Sequence, residues 1–309
     1  MRSRRELLAC TGSLALWAAL PGRARAADPP LIVIFTGDTS ARTAAIVRSF
    51  KAGVGDAMLM SCYLGAEADA GAFIADNLEG VTVSAVFAVG DLALRVALRE
   101  FNAAPVVWAD ALDAAAASIH PRARGVSPRL DPVAVLARLK TLKPDLSVLG
   151  VLRSSADADP YWAAVASACE AAGLQLMSPP IGGSGDVDNA FKSLIAGAGL
   201  TWIQPDPNLW SGAVLASVFH EAQLVAHPVL GFQREQLQGA QRPPIVAEAD
   251  PVAMGAAAAE LAGALIGGGA PAEPQRYAAP VLVGNMVALR AAGVLVNKRT
   301  AAAVDEWQK

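Results

Sequence analysis

The chain has 309 residues, of which 54% are hydrophobic and 6% aromatic, and its formal net charge at pH 7 is −3. Residues 1–26 hold five arginines and one glutamate, so the other 283 residues carry 20 basic and 27 acidic side chains, a net charge of −7. An acidic chain with few aromatic residues is poorly suited to nucleic acid and to anionic membrane surfaces, and we expect neither as a partner. The length is sufficient for two medium-sized α/β domains.

Residues 1–26 have the features of a cleaved export signal. Three arginines lie among the first five residues, the apolar run at 7–20 is too short to span a bilayer, and Ala24-Arg25-Ala26 offers a small-x-small cleavage site. The sequence therefore predicts a signal peptide that is removed near Ala26. Residues 3–8 resemble the twin-arginine export motif without its usual Phe and Lys, so twin-arginine export and ordinary secretion both stay open.

The mature chain opens with a strand, a polar loop and a helix. Residues 31–35 are apolar and largely β-branched, residues 36–40 are small or polar, and residues 41–52 carry apolar side chains at helical spacing. A loop that leaves the carboxyl end of a parallel strand and opens a helix gathers N–H groups where a ligand can bind.

This first loop is a candidate ligand-binding segment. The alternative is an ordinary helix cap, formed by Asp38 or Ser40. The candidate contacts in the loop are Thr36, Gly37, Asp38 and Thr39.

Short apolar strands alternate with helices of ten or more residues along much of the remaining chain. In the first block we predict strands at 57–63, 81–89 and 105–108, and helices at 66–78 and 90–102. After an irregular crossover at 109–124, the second block has helices at 132–142, 160–172, 187–198 and 209–226, and strands at 147–152, 174–177, 201–203 and 228–232. A shorter third section has strands at 245–247 and 277–283, and helices at 251–266, 285–292 and 300–308.

Alternation of this kind predicts parallel sheets that are covered by helices on both faces. Two α/β blocks followed by short returning segments predict a chain that crosses between two lobes more than once. The crossing strands would form a hinge, with a cleft between the lobes that closes on a small ligand.

Several short motifs follow one another in an order that resembles a known family. Gly125-Val126-Ser127 is followed by Leu139, Leu142, Pro144 and then 150–152. Further matches are the segments 89–94, 105–108 and 227–232, Asp250 followed by Gly255, and the ending with Gly267, Pro271, Asn285, Gly293 and Val294. Together they are similar to the exported substrate-binding proteins of ABC transporters, of the type that includes tryptophan- and tyrosine-binding members.

The resemblance implies a type I periplasmic-binding-protein fold, an α/β clamshell in which each lobe is a parallel sheet flanked by helices. Lobe one would comprise 28–112 plus 245–272, and lobe two 121–240 plus 275–309. The family implies a periplasmic protein that binds a small polar or amino-acid-like ligand by hinge closure and delivers it to an ABC permease in the inner membrane. It implies no cofactor and no catalysis. We expect a monomer, although the sequence itself leaves the oligomeric state open.

The chain departs from the family at two places that would face the ligand. Where the family usually has Gly-Ser, this chain has Gly90-Asp91, and Asp91 would cap its helix and repel a ligand carboxylate. Where the family tends to have Tyr-Asn, this chain has Arg153, Ser154 and Ser155. Carboxylate recognition would then pass to Arg153, whose planar guanidinium suits it, or the ligand is not an amino acid.

Other candidate contacts lie near the ends of predicted strands. Asp206 and Asn208 follow a strand of lobe two, where Asp206 could pair with a ligand ammonium or both could cap the next helix. Aromatic side chains could stack on an apolar ligand, with core packing as the alternative for each of them. These aromatic candidates are Trp108, Trp202, Trp210 and Phe232.

Metal binding and enzyme chemistry have little support in the sequence. The mature chain has three histidines, His120, His220 and His227, and a metal site would need more ligands. It has no Gly-x-Ser-x-Gly elbow, phosphate loop with Lys, or His-Glu-x-x-His pair. Two alternatives to transport stay open: a sensor or scaffold that uses the same clamshell, and an exported hydrolase.

Overall fold

The computed structural model describes residues 29–65, 68–112, 117, 119–154, 160–206, 208–269 and 273–308. The predicted signal peptide at 1–26 lies outside these residues. The strands are β1 Leu31–Thr36, β2 Met58–Tyr63, β3 Ala85–Val89, β4 Val106–Ala109, β5 Ala123–Leu130, β6 Val148–Leu152, β7 Gln175–Met177, β8 Leu200–Ile203, β9 Val229–Gly231, β10 Ile245–Ala249, β11 Gln275–Ala278, β12 Pro280–Asn285 and β13 Glu306–Gln308. The α-helices are α1 Ala41–Gly53, α2 Ala68–Asn77, α3 Asp91–Glu100, α4 Pro132–Leu142, α5 Tyr161–Ala171, α6 Val187–Gly197, α7 Gly212–Leu224, α8 Pro251–Ile266, α9 Met286–Ala291 and α10 Lys298–Ala301.

The first sheet is parallel and has six strands in the order β11-β5-β4-β3-β1-β2. Its central strands are apolar on both faces and fully buried, as expected of a sheet covered by helices on each side. The predicted opening unit is confirmed, since β1 is followed by a polar loop and by α1, which Ser40 caps.

The second sheet has seven strands in the order β13-β12-β10-β9-β8-β6-β7. All neighbours pair in parallel except β10 and β12, which are antiparallel. The prediction of a helix over 300–308 is wrong beyond Ala301, where the helix ends, and residues 306–308 form β13 beside residues 283–285 of β12. Backbone pairing with that sheet edge outweighs the helical tendency of so short a segment.

The chain crosses from one lobe to the other at three places, and a proline follows each. Pro132 comes directly after β5 and Asp131, Pro251 follows β10 and Asp250, and Pro280 begins β12 after β11. Proline fixes φ near −65° and restricts the residue before it, so the direction of the chain is constrained at each crossing. The Asp131 N–H donates to the Ala278 carbonyl at 2.8 Å, which ties two crossings together.

The strand pairing places three segments in a different lobe from the one predicted. Residues 123–130 and 275–278 pair within the first sheet, although the sequence predicts them in lobe two. Residues 245–249 pair within the second sheet, although the sequence predicts them in lobe one. The apolar pattern of a crossing strand is the same in either sheet, so it does not show which neighbours the strand will have.

Helix α8 packs against α1 on the first sheet at very short range. A Cβ atom at Gly255 would lie 2.2 Å from the Ile46 carbonyl oxygen and 2.8 Å from the Ser49 Cβ. Only glycine allows the two backbones to come this close. The helix that follows β10 therefore belongs to the first lobe, whereas β10 itself belongs to the second sheet.

Candidate functional site

A cavity of about 480 Å³ lies where the carboxyl-terminal ends of strands from both sheets meet. The first lobe, the second lobe and the crossing strands each supply part of its wall. The lining residues are Ala41, Arg42, Asp91, Asp110, Leu112, Pro128, Leu130, Trp202, Gln204, Pro205, Phe232, Gln233, Arg234, Glu235, Ala247, Glu248, Ala249 and Pro251.

An ion pair between Arg42 and Asp110 forms the first-lobe side of the cavity. Arg42 Nε donates to Asp110 Oδ2 at 2.8 Å, and Nη2 donates to Oδ1 at 2.9 Å. A third donor, Nη1, reaches the Ala249 carbonyl at 2.9 Å. Burial opposes the charge of Arg42, but the bonds to Asp110 outweigh it and raise the pKa of the guanidinium above its ordinary value.

Asp110 holds this pair from an uncommon backbone conformation. Its φ is +58°, in the left-handed region that aspartate and asparagine tolerate better than most residues. The turn that follows β4 is fixed by the Asp110 N–H, which donates to the Val126 carbonyl at 3.2 Å. Non-glycine residues in this region cluster at functional sites.

A second ion pair, between Arg234 and Glu248, lines the second-lobe side. Arg234 Nε donates to Glu248 Oε1 at 2.7 Å and the Arg234 backbone N–H donates to Oε2 at 3.1 Å. Arg234 Nη2 also contacts Glu248 Oε1, and Nη1 donates to Glu306 Oε2 at 3.1 Å. The bonds to Glu248 are the main reason that the pKa of Arg234 is raised.

A buried hydrogen-bonded chain supports the wall near the crossing strands. Gln204 Nε2 donates to the Tyr161 hydroxyl at 3.1 Å, and that hydroxyl donates to the Leu130 carbonyl at 3.0 Å. Trp210 Nε1 donates to the Gln204 carbonyl at 2.7 Å. Since Gln204 and Tyr161 are both buried, these bonds fix the position of the Gln204 side chain in the lining.

Asp91, Trp202 and Phe232 are the predicted contact residues that line the cavity. Asp91 does not cap its helix, because the N-cap of α3 is Gly90, at φ 86°, and Asp91 is the first helical residue. Its carboxylate lies at the positive end of the helix dipole, which favours a negative charge there. Phe232 follows β9, and its backbone N–H donates to Gln236 Oε1 at 2.9 Å.

The loop after β1 ends just before the lining begins at Ala41. Thr36, Gly37, Asp38 and Thr39 are not among the lining residues. Asp38 Oδ1 accepts from the Ser40 N–H at 2.8 Å, and Ser40 caps α1 by accepting from the Thr43 N–H at 3.1 Å. Partial burial would raise the pKa of Asp38, but hydrogen bonds from Thr43 and Ser40 outweigh it and lower the pKa.

Trp108 is buried in the core of the first lobe and is not in the lining, which differs from the sequence expectation. It lies on β4, a strand with helices on both faces, so its side chain meets other core residues. Trp202, by contrast, lines the cavity and is fully buried.

The predicted lobe-two contacts Arg153, Ser154, Asp206 and Asn208 are not among the lining residues either. Arg153 lies 5.2 Å from the ring centroid of Trp162 in a cation–π contact. Asp206 is buried, and its carboxylate accepts from the Ser154 N–H at 3.0 Å and from the Asn208 N–H at 2.9 Å. The structure thus gives Asp206 a role in joining two loops, which the sequence did not predict. Ser155 lies outside the described residues.

Several lining residues were missed by the sequence reasoning: Arg42, Asp110, Gln204, Arg234 and Glu248. Arg42 is the second residue of α1, and an arginine in the first turn of a helix is usually solvated. The one available signal was the polar end of a buried strand, which Asp110 and Gln204 both follow.

No protein-family model matches the chain, and no curated protein matches it. Solved structures match over most of its length. An ABC domain from Streptococcus pneumonia in complex with L-Trp is 14% identical with a TM-score of 0.60, and the match covers 91% of this chain and 100% of that one. A ligand-free, open substrate-binding protein with adhesive properties from Clostridium difficile is 15% identical with a TM-score of 0.67, covering 91% and 99%. A conserved domain protein from Vibrio cholerae is 16% identical with a TM-score of 0.59, covering 90% and 99%.

These similarities establish the fold. The chain has the type I periplasmic-binding-protein fold, a clamshell of two α/β lobes, and the predicted fold class is confirmed. Among the described residues, no helix is both long and apolar enough to cross a membrane. Within the same residues, no three His, Cys, Asp or Glu side chains are grouped so that they could hold a metal ion.

Proposed function

We propose that this protein is an exported solute-binding protein of an ABC importer, which binds a small molecule in the cavity between its lobes. The observation that carries the proposal is the cavity itself, since first lobe, second lobe and crossing strands all contribute to its wall. A ligand held by both lobes stabilises the closed form, because its contacts are complete only when the lobes come together.

The solved structures of this fold support the proposal. The Streptococcus pneumonia domain is described as an ABC domain with bound L-Trp, and the Clostridium difficile protein as an open substrate-binding protein. The predicted signal peptide fits a periplasmic location, and we extend the proposal to delivery of the ligand to an inner-membrane permease. The hydrolase alternative needs a Ser or Asp in the cleft within reach of a His, and no His is among the lining residues that the structure describes.

Thermal unfolding of the purified mature protein with a broad metabolite panel tests the proposal. A ligand at 100 times its dissociation constant stabilises the native state by about 2.7 kcal/mol, which raises the melting temperature by several degrees. Small-angle scattering with that ligand should show a decrease in the radius of gyration as the lobes close. A ligand-free preparation that no member of a broad panel stabilises would contradict the proposal.

A further inference from the structure

The charges of the cavity lining do not balance. Two arginines, Arg42 and Arg234, face four carboxylates, which leaves an excess of two negative charges. The carboxylates are those of Asp91, Asp110, Glu235 and Glu248. Arg234 also pairs with Glu306, an acidic side chain that lies outside the lining.

Both arginines are already engaged by the protein. Arg42 donates from Nε, Nη1 and Nη2 to Asp110, to the Ala249 carbonyl and to Met254 Sδ. Arg234 contacts carboxylates with all three of its guanidinium nitrogens. A ligand carboxylate would have to displace Asp110 or Glu248, or lie beside them, and like charges at such range repel. The arginines are therefore poor receptors for an anionic ligand.

The rest of the lining is largely apolar and includes two aromatic side chains. Phe232 and Trp202 lie among Leu112, Pro128, Leu130, Pro205 and Pro251. Trp202 is fully buried, and its indole Nε1 has no hydrogen-bond partner in the part of the chain that the structure describes. Because this N–H group is itself fully buried, a ligand in the cavity does not reach it, and Phe232, which is half-buried, is the aromatic side chain that a ligand can contact.

From these features we infer that the cleft takes an organic cation: an ammonium ion on a flat apolar body. The carboxylates attract the ammonium, and the Phe232 ring favours both the flat body and the positive charge. This inference rests on the proposed solute-binding function and specifies its ligand class. It differs from an amino acid ligand, whose carboxylate the lining would oppose.

Matched sets of small molecules test the inference; within each set the ring and the two-carbon chain are the same, and the end group is positive, neutral or negative. One set is tyramine, tyrosol and 3-(4-hydroxyphenyl)propionate, and a second is tryptamine, tryptophol and indole-3-propionate. With the full mature chain at low ionic strength, calorimetry should give at least one amine a dissociation constant tenfold or more below that of its matched alcohol and acid. Raising the salt concentration should weaken the amine more than the alcohol.

A charge-removing variant links the preference to the cleft. Glu235→Gln removes one excess negative charge and leaves the Arg42–Asp110 and Arg234–Glu248 pairs in place, so amine affinity should fall several-fold at low salt. The matched control is Glu170→Gln, on the exposed side of α5 in the same lobe, which should leave the affinity unchanged. Equal losses in both variants, or none in Glu235→Gln, would overturn the assignment of the charge effect to the cleft.

The outcomes separate this inference from the proposed function. An acid or alcohol that binds more tightly than its matched amine overturns the cationic ligand class and leaves solute binding intact. A ligand found in the broad metabolite panel, with no binding by any amine, does the same. Failure of the amines together with the whole metabolite panel overturns both proposals.

Discussion

Arg42 and Asp110 form a bidentate ion pair within the first lobe, with Nε–Oδ2 and Nη2–Oδ1 distances of 2.8 and 2.9 Å. The same guanidinium donates to the carbonyl of Ala249, the last residue of β10 in the second sheet. One side chain therefore connects a first-lobe helix, the turn after β4 and a crossing strand.

Replacing Arg42 by lysine should destabilise the protein, because a single ammonium cannot make the two parallel bonds to Asp110 and also reach Ala249. We expect the free energy of unfolding in urea to fall by about 1 to 2 kcal/mol. Arg48→Lys is the matched control, since Arg48 is exposed on the same helix, and its effect should stay within about 0.5 kcal/mol. Equal effects of the two substitutions would show that the ion pair contributes nothing to stability.

Two glycines of α8 should respond to alanine in opposite directions. Gly255→Ala places a Cβ 2.2 Å from the Ile46 carbonyl oxygen, so α1 and α8 must separate, at a cost on the order of 2 to 3 kcal/mol. Gly263→Ala meets no atom within 4 Å and should stabilise by up to about 1 kcal/mol through helix propensity. Chemical denaturation of both variants measures the difference, and a harmless Gly255→Ala would contradict the packing of the two helices.

His227 should make the protein less stable in mild acid. Burial, with a smaller contribution from Lys143, lowers the pKa of His227 from 6.5 to about 4. Between these values the unfolded chain binds a proton that the folded chain does not. The free energy of unfolding therefore falls as the pH decreases below 6.5, by about 2 kcal/mol at pH 5 for this residue alone. Above pH 6.5 both states are neutral, and the residue contributes no pH dependence.

Urea unfolding of His227→Gln at pH 7.5 and 5 tests this contribution. The variant should lose less stability between the two pH values than the parent protein does. His220→Gln is the control, because His220 is exposed on α7 and should leave the pH dependence unchanged. An unchanged pH dependence in His227→Gln would show that another group is responsible.

Phe232 should contribute to ligand binding more than to folding. It lines the cavity and is half-buried, so Phe232→Ala should weaken binding of any cleft ligand by tenfold or more. Leu224→Ala, at an exposed apolar residue of α7 outside the lining, provides the control and should bind normally. Titration calorimetry of the two variants separates the effects, and normal binding by Phe232→Ala would place the ligand elsewhere.

The sequence predicted the layout of the lobes better than the lining of the cleft. Buried runs such as 31–35 and 85–89 are apolar on both faces, and this pattern is visible without a structure. Membership of a crossing strand in one sheet or the other depends on pairing between distant segments, which the pattern does not contain. For that reason residues 123–130 and 245–249 were placed in the wrong sheet.

The site was harder to predict because its members are joined by contacts over long sequence separations. Arg42 meets Asp110 and Ala249, and Arg234 meets Glu248 and Glu306, although no motif links them. The predicted loops after β1 and β6 satisfy their own backbone groups, as the Ser40 and Asp206 hydrogen bonds show. Phe232 was found because it directly follows β9, and Asp91 because it stands where the resembled family has a serine that would face the ligand.

The three crossings also determine the order in which the lobes can be completed during synthesis. The first lobe needs β11 as an edge strand and α8 as the cover of α1, and both come from residues 251–278. These segments leave the ribosome after five of the seven strands of the second sheet, β6 to β10, have been made. A nascent chain that stops at residue 240 would leave uncovered the face of α1 that packs against Gly255, so the lobe that is begun first reaches its final packing only after the chain has returned from the second lobe.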